Sequence, residues 1–419
     1  MAEGPSTLMK ALGGLMVTVV FFGAIELIGR IIAGPPAAPI VVKMPDGEEG
    51  FFIEQGGRLT PRRAEHKRWW PTGPKDPNKT RIMVLGGSSV AAPKGAPRFM
   101  VAHLEHALGD EIINLGIGGM DTGHLIGLIP AFEALQPDIV VLYSGHNDLG
   151  NAVFERRYSD PTAVRIAKLR QRFGALWTYQ LMERALRAEE VRTVDADWDL
   201  PDVGLQAEQI DAALADYEAR MRRLIRSAQS AGAEVVLSTV VSNAFFPSAS
   251  WECLDRVKAL GVRPTRARVP PVVDVSLEAV TAERAKPPAC RDLEYIEARV
   301  RWRLDQREGV AETLESLRDR DPLPLRAPRE TNRMIRALAA ETGATLADAA
   351  VEFRARGDGL EPPAWFDDQV HLSNAGHAAL AAVLAETIAT SRGRPSPTVH
   401  WPDPWTHKAP LPWPRGTRR

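Results

Sequence analysis

The sequence is poor in cysteine and carries almost no net charge. It has two cysteines in 419 residues, and 52 Lys and Arg against 53 Asp and Glu give a formal net charge of -1. A chain without a basic excess is not expected to bind nucleic acid in general. The histidines, His103 and His106 among them, have no acidic or cysteine partners at metal-ligand spacing, so neither a metal nor another cofactor is predicted. Cys253 and Cys290 could form a disulfide within an insertion or stay two free thiols, and the sequence leaves both open.

What the sequence does contain is a short apolar run that ends in glycine and serine. Residues 82–85 are apolar without alternation, which is typical of a parallel strand buried on both faces. Gly86, Gly87, Ser88 and Ser89 follow directly. Ligands of open α/β sheets bind at the carboxyl ends of strands, so a serine there is a candidate nucleophile. The plain alternative is a turn whose serine caps a helix.

Two later strands are predicted to end in polar turns at the same edge of such a sheet. Residues 112–122 begin as an apolar strand and continue into a glycine turn that contains Gly119. Residues 138–148 are strongly β-prone and end in Gly-His-Asn-Asp, which places the Asn147 amide at the end of the strand. Both segments therefore offer hydrogen-bond donors where the serine is expected.

A third segment, residues 365–377, carries an acid and a histidine. It reads as a loop that leads into an Ala/Leu-rich helix with Ser373 as its N-cap. Asp368 and His371 lie three residues apart in this loop. A tight loop with this spacing lets the two side chains meet.

Taken together and in this order, the blocks within residues 80–391 resemble the SGNH hydrolase superfamily, also called the GDSL esterases and lipases, in its membrane-anchored bacterial type. The usual Gly-Asp-Ser-Leu of the first block reads Gly-Gly-Ser-Ser here. The resemblance assigns a catalytic triad to Ser88, His371 and Asp368. It assigns an oxyanion hole to Ser88, Gly119 and Asn147.

The chemistry of these residue types agrees with that assignment. A serine hydroxyl is a weak nucleophile at neutral pH, so it needs a base, and the base needs an orienting group. His371 would take the proton of Ser88, and Asp368 would hold the imidazole. Each oxyanion donor would stabilise the tetrahedral intermediate by about 3 kcal/mol. No Gly-x-Ser-x-Gly surrounds the serine, and the acid lies beside the histidine, which argues against an α/β-hydrolase.

Other side chains compete for these roles. Ser89 could be the nucleophile, and Asp367 could orient the histidine, although neither matches the family spacing. His377 is interpreted as a packing or helix-surface residue rather than a second base. His146 is interpreted as a pocket-lining side chain, and Asp148 as a turn or cap residue.

The predicted fold is of the α/β class, a flavodoxin-like three-layer α/β/α sandwich with a parallel five-stranded sheet. Strands alternate with helical crossovers, and such connections give parallel strands covered on both faces. The hydrolase domain is placed at residues 80–391, with helical insertions at about 155–231 and 241–327. Helical periodicity within the first insertion predicts a helix over residues 163–192.

The N-terminal segment, residues 1–34, is predicted to be a membrane anchor. Residues 11–33 are almost continuously apolar and long enough as a helix to cross a hydrocarbon core of roughly 30 Å. Glu26 and Arg30 interrupt the run at a spacing that lets them pair. A cleaved signal peptide is the alternative. The flanking charges do not settle the orientation, and the resemblance implies a catalytic body on the periplasmic or extracytoplasmic side.

Two further segments are rich in proline and tryptophan. The linker, residues 35–79, holds a basic stretch followed by Trp69 and Trp70, which either touches anionic headgroups or packs on the domain. The tail, residues 392–419, contains Trp401, Trp405 and seven prolines between 395 and 414, so it cannot be a helix. It is either a disordered tail or an extended strap.

The function expected from these observations is that of a membrane-anchored serine esterase. The resemblance implies removal of ester-linked acyl groups, O-acetyl groups above all, from a cell-envelope carbohydrate or lipid. One alternative is an O-acyltransferase with the same triad. Another is a non-catalytic subunit of a membrane complex that binds a protein partner through the helical insertion or the Trp-rich tail.

Overall fold

The structure is a computed structural model that describes residues 7–32, 40–44, 48–174, 176–186, 190–193, 204–248, 251–263, 272 and 274–406. The strands are β1 (Ile40–Lys43), β2 (Phe52–Gln55), β3 (Arg58–Pro61), β4 (Arg81–Gly86), β5 (Glu111–Asn114), β6 (Ile139–Tyr143), β7 (Glu190–Thr193), β8 (Glu234–Ser238) and β9 (Thr345–Ala347). The helices are α1 (Thr7–Ile32), α2 (Ala64–Trp69), α3 (Met100–Leu108), α4 (Thr122–Ile126), α5 (Pro130–Leu135), α6 (His146–Phe154), α7 (Pro161–Phe173), α8 (Trp177–Leu186), α9 (Ala207–Ser230), α10 (Leu254–Ala259), α11 (Leu277–Arg284), α12 (Arg291–Arg303), α13 (Val310–Asp319), α14 (Arg329–Thr342), α15 (Ala349–Arg356) and α16 (Asn374–Ser391).

At the centre of the described part of the chain lies a five-stranded parallel sheet with the order β5-β4-β6-β8-β9. Strands β4 and β6 are buried along their whole length, as their continuous apolar runs predicted. The order, with the first strand between the second and the third, is flavodoxin-like and confirms the predicted fold class. Because the strands run in one direction, the turns after β4, β5 and β6 meet at one edge.

Helices cover the sheet in two groups. Helices α3 and α16 pack against each other and contact β5 and β9, while α9 packs against α4, α6 and α14 and contacts β8. One hydrophobic core joins both groups to the sheet. Ser373 caps α16 through its hydroxyl, which accepts from the Gly376 N–H at 3.3 Å, as the sequence predicted.

The predicted transmembrane helix is not confirmed. Within the residues described, no helix combines the length and the apolar character that crossing a membrane requires. In α1, the Glu26 carboxylate accepts hydrogen bonds from the backbone N–H groups of Trp177 and Thr178, each at 2.9 Å, and so caps the first turn of α8. The predicted pairing of Glu26 with Arg30 involves a side chain outside the described residues.

The single helix predicted over residues 163–192 is wrong. Helix α7 ends at Phe173, α8 begins at Trp177, and residues 190–193 form β7, which pairs in parallel with β1. A Cβ at Gly174 would lie 2.3 Å from the Arg170 carbonyl oxygen, so the chain turns where only glycine fits. The Glu26 carboxylate then caps the N-terminus of the second helix, α8.

The chain between β8 and α14 builds a second hydrophobic core. Helices α10 to α13 enclose it, with Val257, Leu293 and Leu314 almost fully buried. Cys253 and Cys290, whose pairing the sequence left open, form a disulfide across this core with a Cα–Cα distance of 6.3 Å. The neighbouring Asp292 carboxylate accepts from the Cys253 N–H at 3.0 Å. The bridge therefore joins the start of α10 to the start of α12.

The C-terminal segment forms a strap over the domain as far as it is described. The Trp401 ring lies under the Arg356 guanidinium at 3.4 Å, and its indole N–H donates to Glu386 at 3.2 Å. The Trp365 indole N–H donates to the Asp403 carbonyl at 3.1 Å. Of the two alternatives, residues 392–406 thus take the strap, and residues 407–419 lie outside the described residues.

The disulfide should stabilise the second core because it closes a long loop of the chain. Replacing Cys253 and Cys290 together by serine should lower the free energy of unfolding by about 4 kcal/mol, because it releases a long closed loop in the unfolded chain. Denaturant unfolding of the oxidised protein and the double variant measures the difference. Wild type treated with reductant should then unfold like the variant, and equal stability of all three would contradict the expectation.

Candidate active site

The turn that carries Ser88 leaves the sheet directly after β4. Backbone N–H groups of Val90 and Ala91 both donate to the Gly87 carbonyl, at 3.2 and 3.1 Å, which closes a helical turn around the serine. A Cβ at Gly87 would lie 2.4 Å from Nδ2 of Asn147 and 3.0 Å from the Met120 carbonyl oxygen. The glycine that replaces the usual aspartate of this motif is therefore what lets the Asn147 amide approach the serine turn.

The predicted oxyanion residues lie around this turn. Gly119 has a left-handed backbone with φ of 76°, a conformation that favours glycine. A Cβ at Gly118 would be 3.9 Å from the Ser88 Cβ, so the glycine loop runs beside the serine. Asn147, in the first turn of α6, donates from Nδ2 to the Met120 carbonyl at 2.8 Å. The second hydrogen of this amide makes no hydrogen bond within the described residues.

Two asparagines that the sequence reasoning missed hold the glycine loop in place. Asn114 donates to the Val90 carbonyl at 2.7 Å and accepts from the Gly116 N–H at 2.9 Å. Asn151 donates to the Gly119 carbonyl at 3.1 Å. Asn114 was detectable in principle, because it is a polar residue that ends an apolar strand, and a buried amide needs partners. Asn151 has no such local signal.

Asp368 and His371 form the predicted pair. His371 Nδ1 and Asp368 Oδ2 are 2.5 Å apart, and Asp368 Oδ1 accepts from the N–H groups of Val370 and His371 at 2.8 and 2.7 Å. The hydrogen bond to Asp368 raises the pKa of His371 above its ordinary value, although burial opposes it. Burial disfavours the charged carboxylate, but these three hydrogen bonds together lower the pKa of Asp368. Nδ1 is thus occupied, and Nε2 is the nitrogen that can act as a base.

One hydrogen bond brings the two halves of the site together. The Ser89 hydroxyl donates to the Val370 carbonyl at 3.3 Å, so the residue after Ser88 touches the residue before His371. Ser88 and His371 are thus each one residue away from this contact. The described hydrogen bonds do not include a direct one between them, as is common in ligand-free sites. Ser89 is buried and engaged, whereas Ser88 is half-buried, and this favours Ser88 as the nucleophile.

The two competing histidines are buried in structural positions. The Ala327 N–H donates to His146 Nδ1 at 3.1 Å, so Nε2 carries the proton and donates to the Val241 carbonyl, also at 3.1 Å. Burial lowers the pKa of His146 to about 3. His377 packs against the Phe99 ring with 5.1 Å between centroids, and burial lowers its pKa to about 3 as well. Both stay neutral at physiological pH and hold neighbouring segments.

Of the three acidic residues near the site, one contacts the imidazole and the other two hold backbone segments in place. Asp367 donates its backbone N–H to the His371 carbonyl at 2.9 Å and so closes the loop, while only Asp368 bonds the imidazole. Asp148 is buried in α6 and accepts from the Thr122 N–H at 3.1 Å. Burial and the nearby Asp121 carboxylate raise the pKa of Asp148. Asp148 thus holds the start of α4 in place rather than contacting the serine turn.

The buried Asp121 side chain holds the loop that carries Gly119 in place. It caps α4 by accepting from the His124 N–H at 3.2 Å, and it accepts from Asn151 at 3.0 Å. Arg157 makes an ion pair with it at 2.6 Å. The loop that carries Gly119 is therefore fixed by a buried charged network before any ligand arrives.

A metal site finds little support among the described residues. The one group of His, Cys, Asp or Glu ligand atoms close enough to share an ion there is Cys253, Cys290 and Asp292. Both sulfurs of this group are joined in the disulfide and cannot act as thiolate ligands.

A cavity of about 440 Å³ opens on the glycine loop. Its walls are Gly119 and its neighbours on one side, α2 on the second and the segment after the serine turn on the third. Trp69 of α2 is 5% exposed and donates its indole N–H to the Ala92 carbonyl at 2.9 Å. Trp70 packs against Phe52 with 5.3 Å between ring centroids. The tryptophans of the linker thus pack on the domain, which is the second of the two predicted alternatives.

Comparison with known proteins gives one family and several distant structures. The family model described as "GDSL-like Lipase/Acylhydrolase family" matches residues 84–293, a span that contains Ser88, Gly119 and Asn147 and ends before Asp368. An acetyl xylan esterase structure has 13% identity and a TM-score of 0.35, covering 73% of this chain and 97% of that one. A putative GDSL-like lipase from Parabacteroides merdae has 13% identity and a TM-score of 0.38, over 74% and 95%. An acetylxylan esterase from Geobacillus stearothermophilus has 16% identity and a TM-score of 0.36, over 74% and 94%. No curated protein sequence matches.

The close approach at Gly87 can be tested by structure determination. In Gly87→Ala, the added methyl group should displace the Asn147 side chain and break its hydrogen bond to the Met120 carbonyl, since the present distances leave no room. Gly118→Ala is the matched control, because its Cβ would meet only the Ser88 Cβ at an ordinary 3.9 Å. A crystal structure of Gly87→Ala with Asn147 unmoved would contradict this account.

Proposed function

Since the chain belongs to the GDSL-like lipase/acylhydrolase family and is an esterase of that type, we propose that it removes ester-linked acyl groups, O-acetyl groups above all, from a cell-envelope carbohydrate or lipid. The reaction uses Ser88 as nucleophile, His371 as base and Asp368 as the orienting acid. The observation that carries the proposal is the contact of the Ser89 hydroxyl with the Val370 carbonyl, which seats the Asp368–His371 loop against the serine turn.

Acylation follows from the positions of these groups. The Ser88 hydroxyl attacks the ester carbonyl while His371 Nε2 accepts its proton, and Asp368 stabilises the imidazolium through Nδ1. The oxyanion is held by the N–H groups of Ser88 and Gly119 and by the Asn147 amide, each worth about 3 kcal/mol. Collapse of the intermediate breaks the ester C–O bond, and the imidazolium protonates the departing alcohol.

Deacylation reverses these roles with water. His371 Nε2 removes a proton from water, which attacks the acyl-serine, and the same donors hold the second oxyanion. The proton returns to the Ser88 oxygen as the carboxylic acid leaves. The preformed Asn147–Met120 hydrogen bond supports this scheme, because donors that are already oriented cost no rearrangement during the reaction.

The catalytic body is proposed to work on the extracytoplasmic side. The Cys253–Cys290 disulfide supports this, because disulfides persist in oxidising compartments and are rare in the reducing cytosol. A reporter fusion after residue 406 that is active only when exported would agree with the placement. A fusion active only in the cytosol would contradict it.

The nucleophile is tested by labelling with a serine-reactive phosphonate beside hydrolysis of an aryl acetate. Ser88→Ala should lose labelling and at least about a thousandfold of the hydrolysis rate, because the covalent step is removed. Ser89→Ala is the matched control and should keep its label. Labelling that persists in Ser88→Ala and disappears in Ser89→Ala would move the nucleophile by one position.

The pH dependence of kcat/KM should report His371. Only the neutral imidazole accepts a proton, so activity should rise with pH through the His371 pKa, with a midpoint above the ordinary 6.5. Asp368→Asn removes the main interaction that raises this pKa, so the midpoint should move to lower pH while the maximal rate falls. Asp367→Asn, which changes a charge without a hydrogen bond to the ring, should shift the midpoint far less. An unchanged midpoint in Asp368→Asn would contradict the assigned base.

A further inference from the structure

The cavity beside the glycine loop is larger than the acyl group needs. Its volume of about 440 Å³ lies within the range of small-molecule sites, whereas an acetyl group has only three heavy atoms. Gly119, which would bind the oxyanion, forms part of its wall. The alcohol part of the ester can therefore occupy this cavity while its carbonyl lies at Ser88.

The charges around the cavity are unbalanced. Three cationic side chains and one carboxylate line it, which leaves an excess of two positive charges: Arg63, Arg68, Lys94 and Glu65. Arg63 and Glu65 form an ion pair at 3.3 Å. Arg68 and Lys94 are both exposed and make no ion pair within the described part of the chain. Arg68 and Lys94 thus line the cavity without an ion pair in that part of the chain, and only the Glu105 carboxylate acts on Lys94 from a longer distance.

The surrounding structure keeps these two cations at the cavity. Arg68 precedes Trp69 in α2, and the Trp69 indole is bonded to the Ala92 carbonyl. The Lys94 ammonium lies 5.7 Å from the centre of the Trp69 ring. Trp69 therefore ties the helix that carries one cation to the segment that carries the other. Two cations carried by linked segments beside one cavity are suited to an anionic group.

We propose that the ester-bearing molecule is an acidic carbohydrate, whose anionic group is bound by Arg68 and Lys94 while its O-acyl group lies at Ser88. This inference rests on the proposed esterase function and narrows its substrate. Carboxylate and phosphate share the required chemistry, so the acidic unit is either a uronic acid or a sugar phosphate. A neutral acetylated glycan or a fatty ester would form no ion pair with either cation.

The first experiment compares three acetylated oligosaccharides of equal length with the full chain. One is neutral, one carries uronic acids and one carries sugar phosphates. The acidic esters should have higher kcat/KM than the neutral one, and raising the salt concentration should reduce that preference, because exposed charges are screened. The better of the two acidic esters identifies the anion. Equal kcat/KM for all three, at low and high salt, would overturn the inference and leave the esterase intact.

Substitutions then test the two cations. Arg68→Gln and Lys94→Gln should each raise KM for the acidic ester by about fivefold, as expected for an exposed ion pair, and leave the neutral ester unchanged. Arg58→Gln, an exposed cation outside the cavity wall, is the matched control. Equal losses on acidic and neutral esters would contradict a role for either cation in recognising the anion.

Binding separates this inference from the esterase proposal. Calorimetry with Ser88→Ala measures affinity for the acidic oligosaccharide without turnover. Weaker binding when Arg68→Gln is added supports the acidic substrate even if no ester is hydrolysed. Binding that is absent, or that is unaffected by Arg68→Gln and Lys94→Gln, overturns it even if wild type hydrolyses every ester.

Discussion

The active site depends on one contact between distant parts of the chain, the hydrogen bond from the Ser89 hydroxyl to the Val370 carbonyl. The serine turn follows the first strand of the central sheet, and the Asp368–His371 loop comes just before the last helix. The parallel sheet brings both to one edge, but the edge alone does not fix the distance between the two segments. The buried Ser89 hydroxyl fixes it at one point, because it binds the backbone of the loop one residue before the histidine.

The parts of the fold that were predictable are those with a strong local pattern. Strands β4 and β6 are continuous apolar runs, and α16 begins at a serine cap before an alanine-rich segment, so each could be placed from a short window. The pairing of β1 with β7 was missed, because it joins two four-residue strands about 150 positions apart. The break between α7 and α8 was missed because the cap that starts α8 is Glu26, which lies far away in sequence.

The candidate site likewise has residues that a short motif predicts and residues whose environment depends on distant parts of the chain. The proposed triad and oxyanion residues stand in motifs, so the resemblance could name them, and the parallel strands could bring their turns to one edge of the sheet. The buried state of His146 did not follow, because its partners at Val241 and Ala327 belong to segments 95 and 181 positions away. Arg68 and Lys94 carry no motif and become neighbours only because Trp69 bonds to Ala92. Long-range hydrogen bonds between side chains and backbone groups thus mark what the sequence could not show.

The C-terminal strap has a consequence for the catalytic loop that lies beneath it. The Trp365 indole is bonded to the Asp403 carbonyl, and Trp365 immediately precedes the segment that carries Asp368 and His371. Proteolytic cleavage before Asp403 would therefore remove a support from the segment that carries the proposed general base. A chain cut before Asp403 would keep every proposed catalytic side chain and still lose this support for the loop that carries two of them.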